Sequence, residues 1–145
     1  MTHPVLNPTH DPERRSFISR ANQPGTDFPV QNLPLGVFRA SAQERPRIGV
    51  AIGDRVLDLS SALETGVLAV PERLAVACFG PTLNPLMAEP VERQHLLRAA
   101  LSDALVEGSR LGQDRMVQER VLRAQTEVQM LLPATVGDYT DFYAS

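Results

Sequence analysis

Alternating apolar and polar positions are clearest in the stretch 47–59, where two strand-like runs flank Gly53-Asp54. A glycine at this place can take the positive φ that a two-residue hairpin turn needs. Counting outward from the turn predicts three cross-strand pairs: Ile52 with Arg55, Val50 with Leu57, and Ile48 with Leu59. By the two-residue period of a strand, one face of this hairpin is apolar, and we expect it to face the core through Ile48, Val50, Leu57 and Leu59. The other face carries Gly49, Ala51, Val56 and Asp58.

The rest of the pattern predicts one further strand before the hairpin, helices after it and a last strand. A strand over Gly36–Ala40 is the natural neighbour of the hairpin, and prolines break residues 60–90 into short irregular helices. Apolar residues at helical spacing predict an amphipathic helix over Val91–Glu107 that stops at Gly108. A weaker helix over Gln113–Gln125 and a short strand over Val128–Leu132 follow. Together these elements predict an α+β, β-rich fold built on a small barrel or roll with flanking helices.

Residues 1–34 have a different composition from the rest, with six prolines that block helices and remove strand donors. Interspersed apolar residues such as Phe17, Ile18 and Val30 indicate that this extended arm lies on the body of the protein, with at most a short helical turn near Arg14–Ala21. The other interpretation is a proline-rich docking ligand, which the irregular spacing disfavours.

Composition narrows the function class. The net charge is −3, and the 14 basic residues, all arginine, are scattered and outnumbered by 17 acidic ones, so no basic face for nucleic acid is evident. No run approaches the roughly 18 apolar residues of a membrane helix, and the N-terminus does not resemble a signal peptide. A single cysteine, Cys78, gives no sign of an oxidising compartment. We therefore expect a cytoplasmic protein.

Candidate chemistry is concentrated in the tail, residues 132–143. The three histidines, His3, His10 and His95, are too dispersed to suggest a metal cluster, and Cys78 has the setting of a small buried apolar residue. The tail instead places Asp138 and Asp141 three residues apart among three aromatic residues. Carboxylates are ligands for Ca²⁺ or Mg²⁺, and a phenol can donate a hydrogen bond to a substrate. An ordinary loop with a helix-capping aspartate explains the same spacing.

Three stretches together resemble the signatures of fumarylacetoacetase: 27–38 (DFPVQNLPLGVF), 46–54 (PRIGVAIGD) and the tail, in the order expected of that family. The resemblance implies an SH3-like N-terminal barrel followed by a larger β-rich catalytic domain. It divides the chain into an arm at 1–34, the SH3-like domain at 35–132, and a linker with the truncated start of the catalytic domain at 133–145. The 27–38 stretch is assigned to folding and domain contact.

The resemblance also implies a function. Fumarylacetoacetase hydrolyses the carbon–carbon bond of 4-fumarylacetoacetate to fumarate and acetoacetate, the last step of tyrosine and phenylalanine breakdown, with a bound Ca²⁺ or Mg²⁺ and a histidine that activates water. By resemblance Asp141 is a metal ligand and Tyr143 contacts substrate, whereas Asp138 receives no role.

The catalytic histidine and the other ligands are expected beyond Ser145. The chain alone is thus expected to have no catalytic residue, no hydrolase activity and no tightly bound cation. The expected partners are the catalytic domain and, in a complete enzyme, a second copy in a homodimer. The alternative is a free-standing SH3-like protein-interaction module.

Overall fold

A computed structural model describes residues 8–132. The strands are β1 Leu35–Arg39, β2 Arg47–Ile52, β3 Arg55–Asp58, β4 Leu122–Ala124 and β5 Gln129–Leu131. The α-helices are α1 Leu59–Glu64, α2 Glu72–Ala77, α3 Asn84–Met87, α4 Val91–Leu105 and α5 Arg115–Val121. Short 3₁₀ turns occupy Pro8–His10, Ser19–Asn22, Leu111–Gln113 and Gln125–Glu127. None of the helices within 8–132 is long and apolar enough to cross a membrane.

The strands form one antiparallel sheet in the order β4-β3-β2-β1-β5, curled into a half-barrel. The fold is therefore mixed α and β, as predicted. The expected β-rich balance is wrong for the described part, because its α-helices contain more residues than its strands. The strands are too short to bury a core by themselves, and helices α1, α4 and α5 supply the other side of it.

The predicted hairpin register is confirmed next to the turn and corrected at its far end. Val50 pairs with Leu57, and Ile52 pairs with Arg55. The third predicted pair does not form, because β3 ends at Asp58 and Leu59 begins α1. The core assignment holds regardless, since all four predicted residues are at most 1% exposed: Ile48, Val50, Leu57 and Leu59.

The turn glycine supports a prediction on stability. Gly53 has a φ of +57°, and a Cβ added there would lie 2.7 Å from the backbone nitrogen of Ala21. Positive φ costs an L-residue roughly 1–2 kcal/mol, and a contact with backbone cannot be relieved by side-chain rotation. We therefore expect Gly53→Ala to lower the free energy of unfolding by more than about 2 kcal/mol in urea titrations.

Gly66 is the matched control for this substitution. Its φ is +80°, and an added Cβ would meet nothing within 4 Å. Gly66→Ala isolates the backbone strain and should cost only about 1 kcal/mol. Equal losses in the two variants would show that the close approach of the segment around Ala21 is not constrained.

The two predicted long helices differ in outcome. The first is confirmed as α4, whose Leu97, Leu101 and Leu105 are buried. After Leu105, where α4 ends, Val106 is extended and the chain turns at Gly108, which has a φ of +86°. The second is shorter than predicted. It ends at Val121 because the next residues pair with β3 as strand β4, a long-range interaction that local helical spacing does not encode.

The segment 8–34 lies on the body, as predicted, and joins the same core through Ile18, Ala21, Val30 and Leu33. Arg98 of α4 holds this segment against the body through hydrogen bonds. The guanidinium donates to Thr9 Oγ1 at 2.9 Å, to the carbonyl of Asn32 at 2.9 Å and to the carbonyl of Gln31.

Burial lowers the pKa of Arg98 from its ordinary value. These contacts flank Leu33, whose φ of +51° is uncommon for a non-glycine residue and is sustained by the surrounding contacts.

Candidate functional site

A groove of 340 Å³ lies on the second face of the sheet, the face opposite Ile48 and Val50. None of its lining residues is charged: Phe28, Pro34, Leu35, Gly36, Phe38, Gly49, Ala51, Val56, Gln125, Val128 and Met130. The amide of Gln125 is already satisfied, because it donates to the carbonyls of Gly53 and Arg55 at 3.0 and 3.1 Å. The groove can therefore lose water without leaving a charge or this amide unpaired.

Glycine shapes the floor of this groove. A Cβ at Gly49 would lie 2.8 Å from Phe38 Cε1 and 2.5 Å from Val56 Cγ1, and one at Gly36 would lie 2.9 Å from Met130 Cε. The absence of side chains at these two positions lets the Phe38 ring and the Met130 side chain lie against the backbone. Phe38 is consequently only 1% exposed although it faces away from the main core.

The groove brings together parts of the chain that are far apart in sequence. The 27–38 stretch contributes Phe28 and Phe38, and the 46–54 stretch contributes Gly49 and Ala51. The third contribution comes from Met130 in β5, which directly precedes the tail. Sequence reasoning assigned the 27–38 stretch to folding and domain contact without locating a surface. The available signal was the second hairpin face, where three of the four residues, Gly49, Ala51 and Val56, are small or apolar and only Asp58 is polar.

A buried polar centre lies on the same face of the sheet. Asp58 is fully buried and accepts hydrogen bonds from Arg47 Nη1 at 2.6 Å and from the hydroxyls of Ser60 and Ser61 at 3.0 Å each. It also caps α1 by accepting from the backbone N–H of Ser61 at 3.3 Å. These partners use the carboxylate's acceptor capacity, so the centre is structural. Sequence analysis did not single it out, although an aspartate three residues before Ser61 at a helix start is a capping signal.

Two other side chains considered for chemistry, Cys78 and His95, do not line the groove. Burial raises the pKa of the Cys78 thiol to about 11, so the cysteine stays protonated and acts as an apolar residue, as predicted. His95 is exposed on α4 and also borders a second pocket of 260 Å³. Within residues 8–132, no group of three or more His, Cys, Asp and Glu side chains could hold a metal ion. The described residues alone therefore do not fit a cation.

The residues predicted for chemistry, Asp141 and Tyr143, lie outside the described residues, as do Asp138 and His3. The last described position, Leu132, follows strand β5 at the edge of the sheet. The assignments to Asp141 and Tyr143 therefore stay predictions.

Comparison with known proteins decides the family. A family model described as fumarylacetoacetase N-terminal matches residues 31–133. The chain belongs to the fumarylacetoacetase N-terminal family. The resemblance inferred from the three sequence stretches is thereby confirmed, and the matched region contains nearly the whole groove, with Phe28 just before it.

Individual fumarylacetoacetases agree with this family. The chain is 40% identical over 131 residues to that of Rattus norvegicus, 43% over 134 residues to that of Bos taurus, and 41% over 131 residues to that of Homo sapiens. Each alignment covers 90% of this chain but only 31% of the relative. The chain thus spans less than a third of the length of these fumarylacetoacetases and corresponds to their N-terminal part.

Proposed function

We propose that this chain is the N-terminal domain of a fumarylacetoacetase that hydrolyses the carbon–carbon bond of 4-fumarylacetoacetate to fumarate and acetoacetate. The observation that carries the proposal is the family match over residues 31–133, together with about 40% identity to proteins of that name. The domain itself serves in folding and in docking to the catalytic part of the polypeptide. Its described residues contain no group of three or more His, Cys, Asp and Glu side chains that could hold a metal ion.

Two tail residues are proposed to belong to the active site of the complete enzyme. Asp141 supplies one carboxylate to a Ca²⁺ or Mg²⁺ ion, and Tyr143 contacts the substrate through its phenol. The chemistry suits both residues, since carboxylates are preferred ligands of these cations and a phenol can donate to a substrate oxygen. Asp138 has no proposed role in catalysis. The remaining ligands and the water-activating histidine belong to the rest of the polypeptide.

We further propose that the curled sheet is a partly open barrel of the SH3-like type. The support is topological: β4 and β5 are consecutive in sequence, yet they form opposite edges of the sheet. Only residues 125–128, which include the 3₁₀ turn Gln125–Glu127, connect them, and so short a connection requires the two edges to approach one another. A cytoplasmic location and a homodimeric complete enzyme are also part of the proposal, on the resemblance alone.

The proposal predicts that activity requires more than this chain. The purified 145-residue chain should produce no fumarate from 4-fumarylacetoacetate, because it spans only 31% of the length of its relatives. The complete polypeptide encoded by its reading frame should turn the substrate over and should require a divalent cation. Fumarate formation can be followed by proton NMR, with and without a chelator.

The same experiment separates the two candidate functions. Turnover by the 145-residue chain itself would refute the division between docking and catalytic parts. A reading frame that stops after Ser145, with no second chain restoring turnover, would instead favour the free-standing SH3-like interaction module.

A further inference from the structure

We propose that the groove on the second face of the sheet is the docking seat for an apolar segment of the polypeptide that follows the N-terminal family region. This inference rests on the proposed function and specifies which surface of the domain meets the catalytic part. The matched family region ends at residue 133, whereas the relatives extend to about three times this length. In those relatives most of the polypeptide follows this region, so we assign the occupant to the same polypeptide.

The character of the second sheet face supports docking. An antiparallel sheet with one face on the core usually presents polar side chains on the other. Arg47 and Asp58 lie elsewhere on this second face, but the part that lines the groove presents glycine, alanine, apolar side chains and Gln125, while charged residues make up 21% of the whole chain. A charge-free patch of this kind matches the centre of an interface, where charged residues are depleted.

The position of the groove favours a tethered occupant. Continuing the pairing of Leu131 with Val37 by one residue places Leu132 beside Gly36, at the groove. Met130 and Leu132 are 59% and 77% exposed, which leaves apolar surface at the point where the chain leaves β5. Because the proposed occupant is attached there, its effective concentration at the 340 Å³ groove is high.

Met130 provides a direct readout of whether the groove is covered. We would compare the rates at which dilute hydrogen peroxide oxidises Met130 in the 145-residue chain and in the complete polypeptide, measured by mass spectrometry. Docking predicts at least about tenfold slower oxidation of Met130 in the complete polypeptide. A substitution within the groove, Ala51→Arg, should abolish this protection, because it places a long charged side chain where the partner packs.

Met116→Arg is the matched control, since this residue lies on α5, is 78% exposed and does not line the groove. It should leave the protection of Met130 intact. Circular dichroism of the 145-residue chain checks that the Ala51→Arg variant folds. If that variant does not fold, Met130→Glu is used in its place, and hydrogen exchange of the β5 amides replaces oxidation as the readout.

Three results would overturn the proposal that the groove is a docking site. Equal oxidation of Met130 in both proteins, while the complete polypeptide hydrolyses substrate, would refute it and leave the proposed function standing. Protection in the 145-residue chain that grows with its concentration would assign the groove to a second copy. Protection that survives Ala51→Arg would show that another surface covers Met130. Absence of turnover by the complete polypeptide contradicts the proposed function separately.

Discussion

Replacing Asp58 with alanine is expected to lower the free energy of unfolding by about 3 kcal/mol. The carboxylate is fully buried and holds Arg47, two serine hydroxyls and the first turn of α1 together. Breaking a buried ion pair typically costs about 3–5 kcal/mol because the remaining charge loses its partner. Since the Arg47 side chain is 40% exposed and can regain water, we place the loss at the lower end of that range.

Asp114→Ala is the control for Asp58→Ala, because it measures the stability lost when a helix cap alone is removed. Asp114 caps α5 by accepting from the backbone N–H of Val117 at 3.1 Å, and this hydrogen bond is exposed. Its loss should cost about 1 kcal/mol, the usual effect of removing an N-cap side chain. Urea titrations of the wild-type and both variant chains measure the difference. If Asp58→Ala cost no more than Asp114→Ala, the pair with Arg47 would contribute nothing beyond the cap.

Asp141→Ala in the complete polypeptide is expected to lower kcat/KM for 4-fumarylacetoacetate by at least about 100-fold. A bound cation contributes several kcal/mol to stabilisation of developing charge, and each 1.4 kcal/mol corresponds to about tenfold in rate. Loss of one carboxylate ligand should also raise the cation concentration needed for half-maximal activity. That second measurement distinguishes a ligand from a residue that only supports the fold.

Asp138→Ala is the control for Asp141, since it removes the same charge three residues earlier in the same tail. We expect its kcat/KM and cation dependence to stay within about threefold of the wild-type values, the margin of a modest interaction of less than about 1 kcal/mol. Similar losses in the two variants would show that the tail depends on net negative charge and not on one specific carboxylate.

Local patterns account for what could be predicted of the fold. The Gly53-Asp54 turn and the two-residue alternation predicted the hairpin register next to the turn and the buried face of the hairpin. Helical spacing predicted α4 in the same way. In each case the residues that form the structure are neighbours in sequence, so the chain's periodicity carries the information.

For the candidate site, too, the sequence supplied one part and not the other. Asp141 and Tyr143 were proposed from a continuous motif, and three such stretches were enough to indicate the family. The groove was not predicted, although its residues come largely from those stretches, because the motifs do not show which distant positions meet. Only the pairing of β1 with both β2 and β5 brings Gly36, Gly49 and Met130 together.

The sequence by itself was enough to predict the family, the hairpin next to its turn and the main helix, and it is the source of the proposed roles of Asp141 and Tyr143. The tertiary structure decided where α5 stops, because Leu122 pairs with Leu57 across 65 positions of sequence. It decided that the buried Asp58 pairs with Arg47, and that Arg98 holds the segment before β1 through carbonyls 66 and 67 residues away. The physical reason is the same in each case: periodicity specifies which face of an element is apolar, whereas its partner is selected by packing and hydrogen bonding between distant segments.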